Sequence, residues 1–425
     1  MRKMRLMGRR RFLSTLAGLG VSASAVAGMS QSVMAELIDN PKREVPRVHG
    51  YTHTNHEAVK DGASPNREPI YYKISRSRWR RVESAHDARK RIEQKLQNRP
   101  ETIAVWVTTN SNDEKQISVN IYDNGEVTTP NRTVQQIEDA IPSTITGVAG
   151  RGTMMEDSVR DIPVSVERIS TKSATPRLQD DEPNYYWSDW DEIPAGSACK
   201  VALYDDSVRI GFGTGTLCTP IYHNGTTKML TAGHNITAPG ISAQTEWLAG
   251  KPPKDESDLV PDETRLTGSP GPDTFDAATL GLESDTQVTY ELARGNGMTA
   301  NDIVGSISED KLKDIEDDGT MDGESFQRQG SRTGTSSGFG IDKIGSDGFV
   351  TTLDQDETDQ GDSGGPYHLA ISPMRASHLV GSDMILSPAE PTSHIAGVHQ
   401  GNFVDGKYTA ATSMYRIEEE FGVTV

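Results

Sequence analysis

Long apolar runs are missing from this chain of 425 residues, and apolar residues make up only 34% of it. The one mildly apolar stretch, "FLSTLAGLGVSASAVAG", is too short and too rich in Ala and Gly for a transmembrane helix, and no later segment is long enough to span a bilayer. Cysteine is almost absent. With only Cys199 and Cys218 present, at most one disulfide can form, and no cysteine follows the N-terminal segment to accept a lipid. Basic residues are outnumbered, 43 Lys and Arg against 61 Asp and Glu, for a formal net charge of −18. That acidity is spread along the chain. It argues against nucleic acid as a partner and reads as a heavily solvated surface that keeps a protein soluble in high salt. The length suggests two or three domains.

The basic charge that does exist is concentrated at the start. Arg9 and Arg10, followed by Phe12, Leu13 and the Ala/Gly-rich run, resemble a twin-arginine export signal, whose passengers cross the membrane already folded. Small residues before Ala27 and Ala35 offer cleavage sites. The expectation is a secreted, extracellular protein that meets the export machinery through residues 1–35.

Residues 36–82 are polar, basic in places ("RSRWRR") and without sustained period, which predicts a disordered or extended lead. Residues 83–97 have a helical pattern, "TIAVWVTT" and "QISVNIYD" alternate as strands, "TVQQIEDAI" reads as a short helix and "DIPVSVERI" as a further strand. Residues 83–169 are therefore expected to form a small α+β unit, and 170–195, rich in Ser, Pro and Asp, a linker.

The chemistry begins at "QGDSGGP", residues 360–366. A serine hydroxyl is a poor nucleophile near neutral pH, so Ser363 needs a base and a carboxylate beside it. The flanking glycines suit acyl transfer: backbone N–H groups of Gly361 and Ser363 can point at one oxyanion, worth roughly 3 kcal/mol per donor in the transition state. Among ten histidines, His234 in "MLTAGHN" stands at the end of an apolar strand on a tight small-residue bend. Asp276 opens the apolar run "DAATLGL", where an unpaired carboxylate is costly, whereas Asp255, Asp258, Asp262 and Asp273 lie in polar or Gly/Pro-rich segments and read as solvated loop charges. His234, Asp276 and Ser363 are the expected triad.

Together "LTAGH", "DAATL" and "GDSGGP", in that order, resemble the trypsin-like (chymotrypsin-fold) serine proteases, and "QGSRTGTSSGFGI" and "HIAGVHQGN" are similar to strands of their bacterial members. The resemblance covers about residues 196–425. It implies an all-β catalytic domain of two six-stranded antiparallel Greek-key barrels with the active site between them, acting on protein or peptide substrates with no cofactor and no metal. The preceding α+β unit then reads as a propeptide, or else as a permanent accessory domain. The family's cysteine directly after the histidine is replaced by Asn235, so the histidine loop must be held by something else. Cys199 and Cys218 flank a predicted hairpin, and pairing them requires a bulge or a curled strand.

Counting back from Ser363 sets Glu357 and Thr358 at the base of the substrate pocket, with His399 and Gly401 on the opposing strand. A histidine and a threonine there resemble the glutamyl-endopeptidase branch and imply an acidic P1 residue, held by a charge-assisted hydrogen bond that weakens in alkali as the imidazole loses its proton. Glu357 implies the opposite, cleavage after Arg or Lys. A non-catalytic binding protein on a protease fold is the third reading. "DIEDDG", Asp314–Gly319, approaches a calcium loop but has Glu316 where Asp or Asn belongs, and reads instead as an acidic surface insertion.

Overall fold

The computed structural model describes residues 43–96, 103–123, 131–153, 155–170, 190–205, 208–237, 244–249, 259–267, 273–294, 297–353, 357–359, 361–372, 379, 391–403 and 408–425. The signal segment and most of the 170–195 linker lie outside the described residues.

The N-terminal unit starts with β1 (Glu44–His53), α1 (His56–Lys60), β2 (Arg67–Ser75) and α2 (Arg76–Leu96). It continues through β3 (Ile103–Thr109), β4 (Lys115–Asp123), α3 (Asn131–Ala140), β5 (Thr144–Ala149) and β6 (Asp157–Ser170). Ala85, Ala88 and Ile92 recur at helical spacing and pack on Val105, Val107 and Ile117 of the β3-β4-β6-β5 sheet.

Residues 44–75 are not the extended or disordered lead that their sequence suggests. β1 and β2 pair in antiparallel fashion with a bulge between Val48 and Gly50. β1 is buried on both faces, and Arg47 and His49 are among its buried residues. With both faces covered and charges inside, no period-two alternation exists to be read.

The C-terminal part opens with β7 (Ile193–Ala195), β8 (Ala198–Asp205), β9 (Val208–Thr216), β10 (Pro220–His223), β11 (Thr226–Thr231) and α4 (His234–Thr237). Then come β12 (Gln244–Ala249), β13 (Leu259–Leu266), β14 (Asp276–Leu282), β15 (Val288–Arg294), β16 (Met298–Ile307) and α5 (Glu309–Asp318). β17 (Glu324–Gly330), β18 (Gly334–Ser337), β19 (Ile341–Ile344), β20 (Gly348–Thr351), β21 (Pro366–Ile371), β22 (Thr392–Phe403), β23 (Tyr408–Ser413) and α6 (Met414–Phe421) complete it.

The structure is mostly β, but its sheets are not two closed six-stranded barrels. A seven-stranded sheet runs β10-β11-β14-β13-β12-β8-β9, and a sixteen-stranded, branched one runs from β18 through β22 and β19 to the N-terminal β3. Edges of the C-terminal part are taken up by the N-terminal unit: β19 pairs with β3, and β16 pairs with β1 on one side and with β22 on the other. An apolar core including Cys218, Leu230, Phe275, Ile395, Val398 and Met414 joins the two sheets.

Cys199 and Cys218 are both buried and neither is in a disulfide. In the β8–β9 register Cys199 faces Gly215 and packs near Leu217 and Met229, while Cys218 belongs to the separate core between the sheets. The bulge in this hairpin lies at Leu203/Tyr204, away from the cysteines, so it does not turn them toward each other.

The acidic "insertion" is a buried helix, not a surface loop. Ser308 caps α5 by accepting from the Lys311 N–H, and Lys311, Asp314 and Glu316 are buried. Its carboxylates face cations of the N-terminal unit: Arg47 reaches Asp310 and Asp314, Arg78 and Arg81 reach Asp317, and Lys115 reaches Glu316 at 2.6 Å. Among the described residues no cluster of His, Cys, Asp and Glu is arranged to hold a metal ion.

Candidate active site

β11 ends at Thr231 and the chain turns through Ala232 and Gly233 into α4, whose first residue is His234. The turn is tight: a Cβ on Gly233 would lie 3.0 Å from both Asp276 Oδ1 and the Arg265 carbonyl oxygen. Asp276, fully buried at the start of β14, holds His234 twice. The His234 backbone N–H donates to Oδ1 at 2.9 Å, and His234 Nδ1 lies 2.6 Å from Oδ2. Burial disfavours the charged ring, but the Asp276 charge and hydrogen bond more than offset this, and the His234 pKa is raised. Asp276 is tied in turn to the other sheet: its N–H donates to Thr412 Oγ1 at 3.1 Å, and that hydroxyl donates to the Asp276 carbonyl at 3.0 Å.

Asp273, read from sequence as a solvated loop charge, is instead drawn inward. It accepts from the N–H groups of Asp347 and Gly348, and burial first, then Glu93, holds its carboxyl well above the usual range.

Ser363 lies in the turn before β21, half-buried, its hydroxyl donating to the Gln400 carbonyl at 3.1 Å. The loop needs its glycines: Gly361 and Gly364 have φ of +103° and +95°. The Gly361 carbonyl is turned inward to Thr216 Oγ1 (2.7 Å) and Ser331 Oγ (3.1 Å). Asp362 is fully buried and accepts from the N–H groups of Arg332, Thr333 and Asp359 and from Thr333 Oγ1. Its counter-charge is Arg328, also fully buried, at 3.0 Å. The loop is therefore braced by a cation from within the same sheet.

Of the expected pocket residues, His399 and Thr358 are buried and Glu357 is exposed. What Glu357 turns inward is its carbonyl, which accepts from Arg328 at 2.5 Å. His399 flanks the Ser363 turn: its carbonyl accepts from the Gly364 N–H and its own N–H donates to the Gly365 carbonyl, both at 2.8 Å. Gly401 follows a bulge in β22, and open space lies where its Cβ would be. Tyr367 Oη lies 3.3 Å from His399 Nδ1 and 2.8 Å from Thr409 Oγ1. Burial first, then Arg328 and His234, push the His399 pKa well below its ordinary value, which favours the neutral ring over the imidazolium expected from sequence.

No family model matches the chain, and no curated protein does. Among solved structures it is similar to a glutamic acid specific serine protease described as using a novel histidine triad in substrate binding (17% identity, 55% of this chain, 100% of that one, TM-score 0.34). It is also similar to the Nocardiopsis protease NAPase (18% identity, 55% and 98% coverage, TM-score 0.33) and to a Glu endopeptidase solved with MPD (14% identity, 58% and 97% coverage, TM-score 0.28). At these TM-scores the overlap transfers no activity to this chain.

Arg328, Thr216 and Gln400 had no place in the sequence reading. For Arg328 a signal existed: in β17 it alternates onto the same face as Phe326, and a guanidinium on an apolar face calls for a buried carboxylate.

Proposed function

We propose that the chain is a serine endopeptidase in which Ser363 attacks the scissile carbonyl, His234 takes its proton and returns it to the leaving amine, and Asp276 fixes the ring and stabilises its charged form. The observation that carries this reading is the double hold of buried Asp276 on His234, with Nδ1 engaged so that Nε2 is the nitrogen left to act as base. The N–H groups of Gly361 and Ser363 would receive the oxyanion. Residues 196–425 form the protease body, a two-barrel fold whose second barrel is opened by the N-terminal strands. The N-terminal unit is a propeptide that completes its sheet edges, and residues 1–35 direct export to the cell exterior.

For specificity we infer an acidic P1 residue. Tyr367 engages His399 Nδ1, which leaves an Nε2–H to donate to a substrate carboxylate, with Thr358 beside it. Since the neutral ring is favoured, the preference for Glu over Gln should not track an imidazole titration between pH 6 and 9. The exposure of Glu357 gives no support to cleavage after Arg or Lys.

The test is mass spectrometry of a mixed-peptide digest by the wild type and by Ser363→Ala. The wild type should cut, predominantly after Glu, and the variant should lose all but a trace of turnover while keeping its melting temperature. Residual cleavage within tenfold of wild type would remove Ser363 from the mechanism.

A further inference from the structure

Asn235, the residue after His234, has a side chain that reaches across the active site. Its Nδ2 donates to the Ser363 carbonyl at 2.9 Å and to Thr231 Oγ1 at 3.0 Å, so both amide hydrogens are used. Thr231 Oγ1 donates to the Thr216 carbonyl at 2.9 Å. The Thr216 N–H donates to the same Ser363 carbonyl at 2.8 Å. Its hydroxyl donates to the Gly361 carbonyl at 2.7 Å and accepts from the Ser331 N–H at 3.0 Å.

The sheet that carries His234 thereby grips the carbonyls of Ser363 and Gly361, which lie on either side of the Ser363 N–H. The backbone is cut away to admit this arrangement. A Cβ on Gly215 would lie 2.6 Å from Asn235 Nδ2, and one on Gly364 would lie 3.0 Å from that nitrogen and collide with Thr231 Oγ1. Every member is a neutral amide, hydroxyl or carbonyl.

We propose that Asn235 and Thr216 are positioning residues: a neutral clasp across the two sheets that fixes Ser363 relative to His234, in place of a covalent brace on the histidine loop. This rests on the serine-protease reading. Neither residue touches the reacting atoms, and the clasp acts only through where it holds the nucleophile and its N–H. A displacement of about 1 Å in such a group is enough to cost about 100-fold in rate.

The experiment uses the full chain and compares wild type with Asn235→Ala, Thr216→Val and Thr216→Ser. For each, the melting temperature, the rate of covalent labelling of Ser363 by a fluorophosphonate, and kcat and KM on one peptide are measured. Asn235→Ala and Thr216→Val should each label Ser363 and turn over about 10- to 100-fold more slowly, with KM within about threefold of wild type. Thr216→Ser, which keeps the hydroxyl, should recover to within about threefold. Labelling by Asn235→Ala and Thr216→Val within twofold of wild type overturns the clasp. So does a loss that falls on KM alone, one that only follows a falling melting temperature, or a Thr216→Ser variant as slow as Thr216→Val. A wild type that never labels overturns the protease reading and the clasp with it, whereas a labelling wild type with unaffected variants overturns the clasp alone.

Discussion

Around Asn235 and Thr412, where the sheets that carry His234 and Ser363 meet, the joining polar contacts are neutral, whereas between the N-terminal unit and helix α5 most are charged. At the first junction Asn235, Thr216, Thr412 and Gln400 exchange hydrogen bonds with one another and with backbone carbonyls. At the second, Arg47 meets Glu83, Asp310 and Asp314, Lys313 meets Glu83 and Glu309, and Lys311 meets Glu324, which also holds His49. The difference follows from what each junction must tolerate. His234 changes charge in every proposed turnover, and a neutral surround keeps its geometry while it does so. Buried charges cost several kcal/mol each unless partnered, so the second junction depends on both units being in place. The first tolerates a change of charge, and the second discriminates between a docked unit and a missing one.

The comparison breaks most sharply at Asp276, a buried carboxylate inside the neutral junction. Asp276→Asn should lower kcat by about 10⁴-fold through the wrong tautomer of His234, with the melting temperature largely kept; single-turnover kinetics would show this. Should Asp273→Asn do so instead, the orienting carboxylate has been misassigned.

At the charged junction, Arg47→Met leaves Glu83, Asp310 and Asp314 facing one another without their guanidinium. It should cost about 3–5 kcal/mol in urea unfolding, and a loss below about 1 kcal/mol would mean that the network does not hold the unit in place.

The smallest expected effect sharpens the contrast by its sign. Burial, against the pull of Lys115, pushes Glu316 up to about 7 from an ordinary value of 4.5. A carboxyl raised on folding favours its protonated form, so its contribution is present below the ordinary value and is lost as the pH rises through about 7. Glu316→Gln should therefore be near neutral at pH 5 and stabilising by about 1 kcal/mol at pH 8.5, where Lys115 still has Asp317 at 3.2 Å. Melting curves at the two pH values decide it, and a variant that loses more stability in alkali contradicts the assignment.

These contrasts also explain what could be read in advance. The pairing of Asp276 with His234 was legible because a carboxylate opening an apolar strand calls for a buried partner, and the turn around Ser363 because it has glycines where φ is positive. Strands β3 and β4 were legible because one of their faces packs on α2. β1 and α5 were not. Each buries charges whose partners lie more than 200 residues away, as in Arg47 with Asp310 and Arg78 with Asp317, so each looks solvated when read alone. The branching of the sixteen-stranded sheet had the same cause, since nothing within residues 196–425 records that β19 and β16 take partners from before residue 110.

The place of β1 has a consequence for how the chain is made. β2 follows β1 at once, but the other edge of β1 waits for β16: Thr52 bonds to Val304, 252 residues later, and His53 to a main-chain oxygen of Val425, 372 residues later. At a synthesis rate of about 5–20 residues per second, the first of these partners follows on the order of 10–50 s after β1 itself. During that interval β1 is a naked strand edge open to pairing with a neighbouring nascent chain. His49, which meets Glu324 only once β17 exists, would be buried away from that carboxylate in any such mispairing, and Arg47 would have Glu83 but lack Asp310 and Asp314 of α5, so both residues protect the growing polypeptide until its proper neighbour arrives.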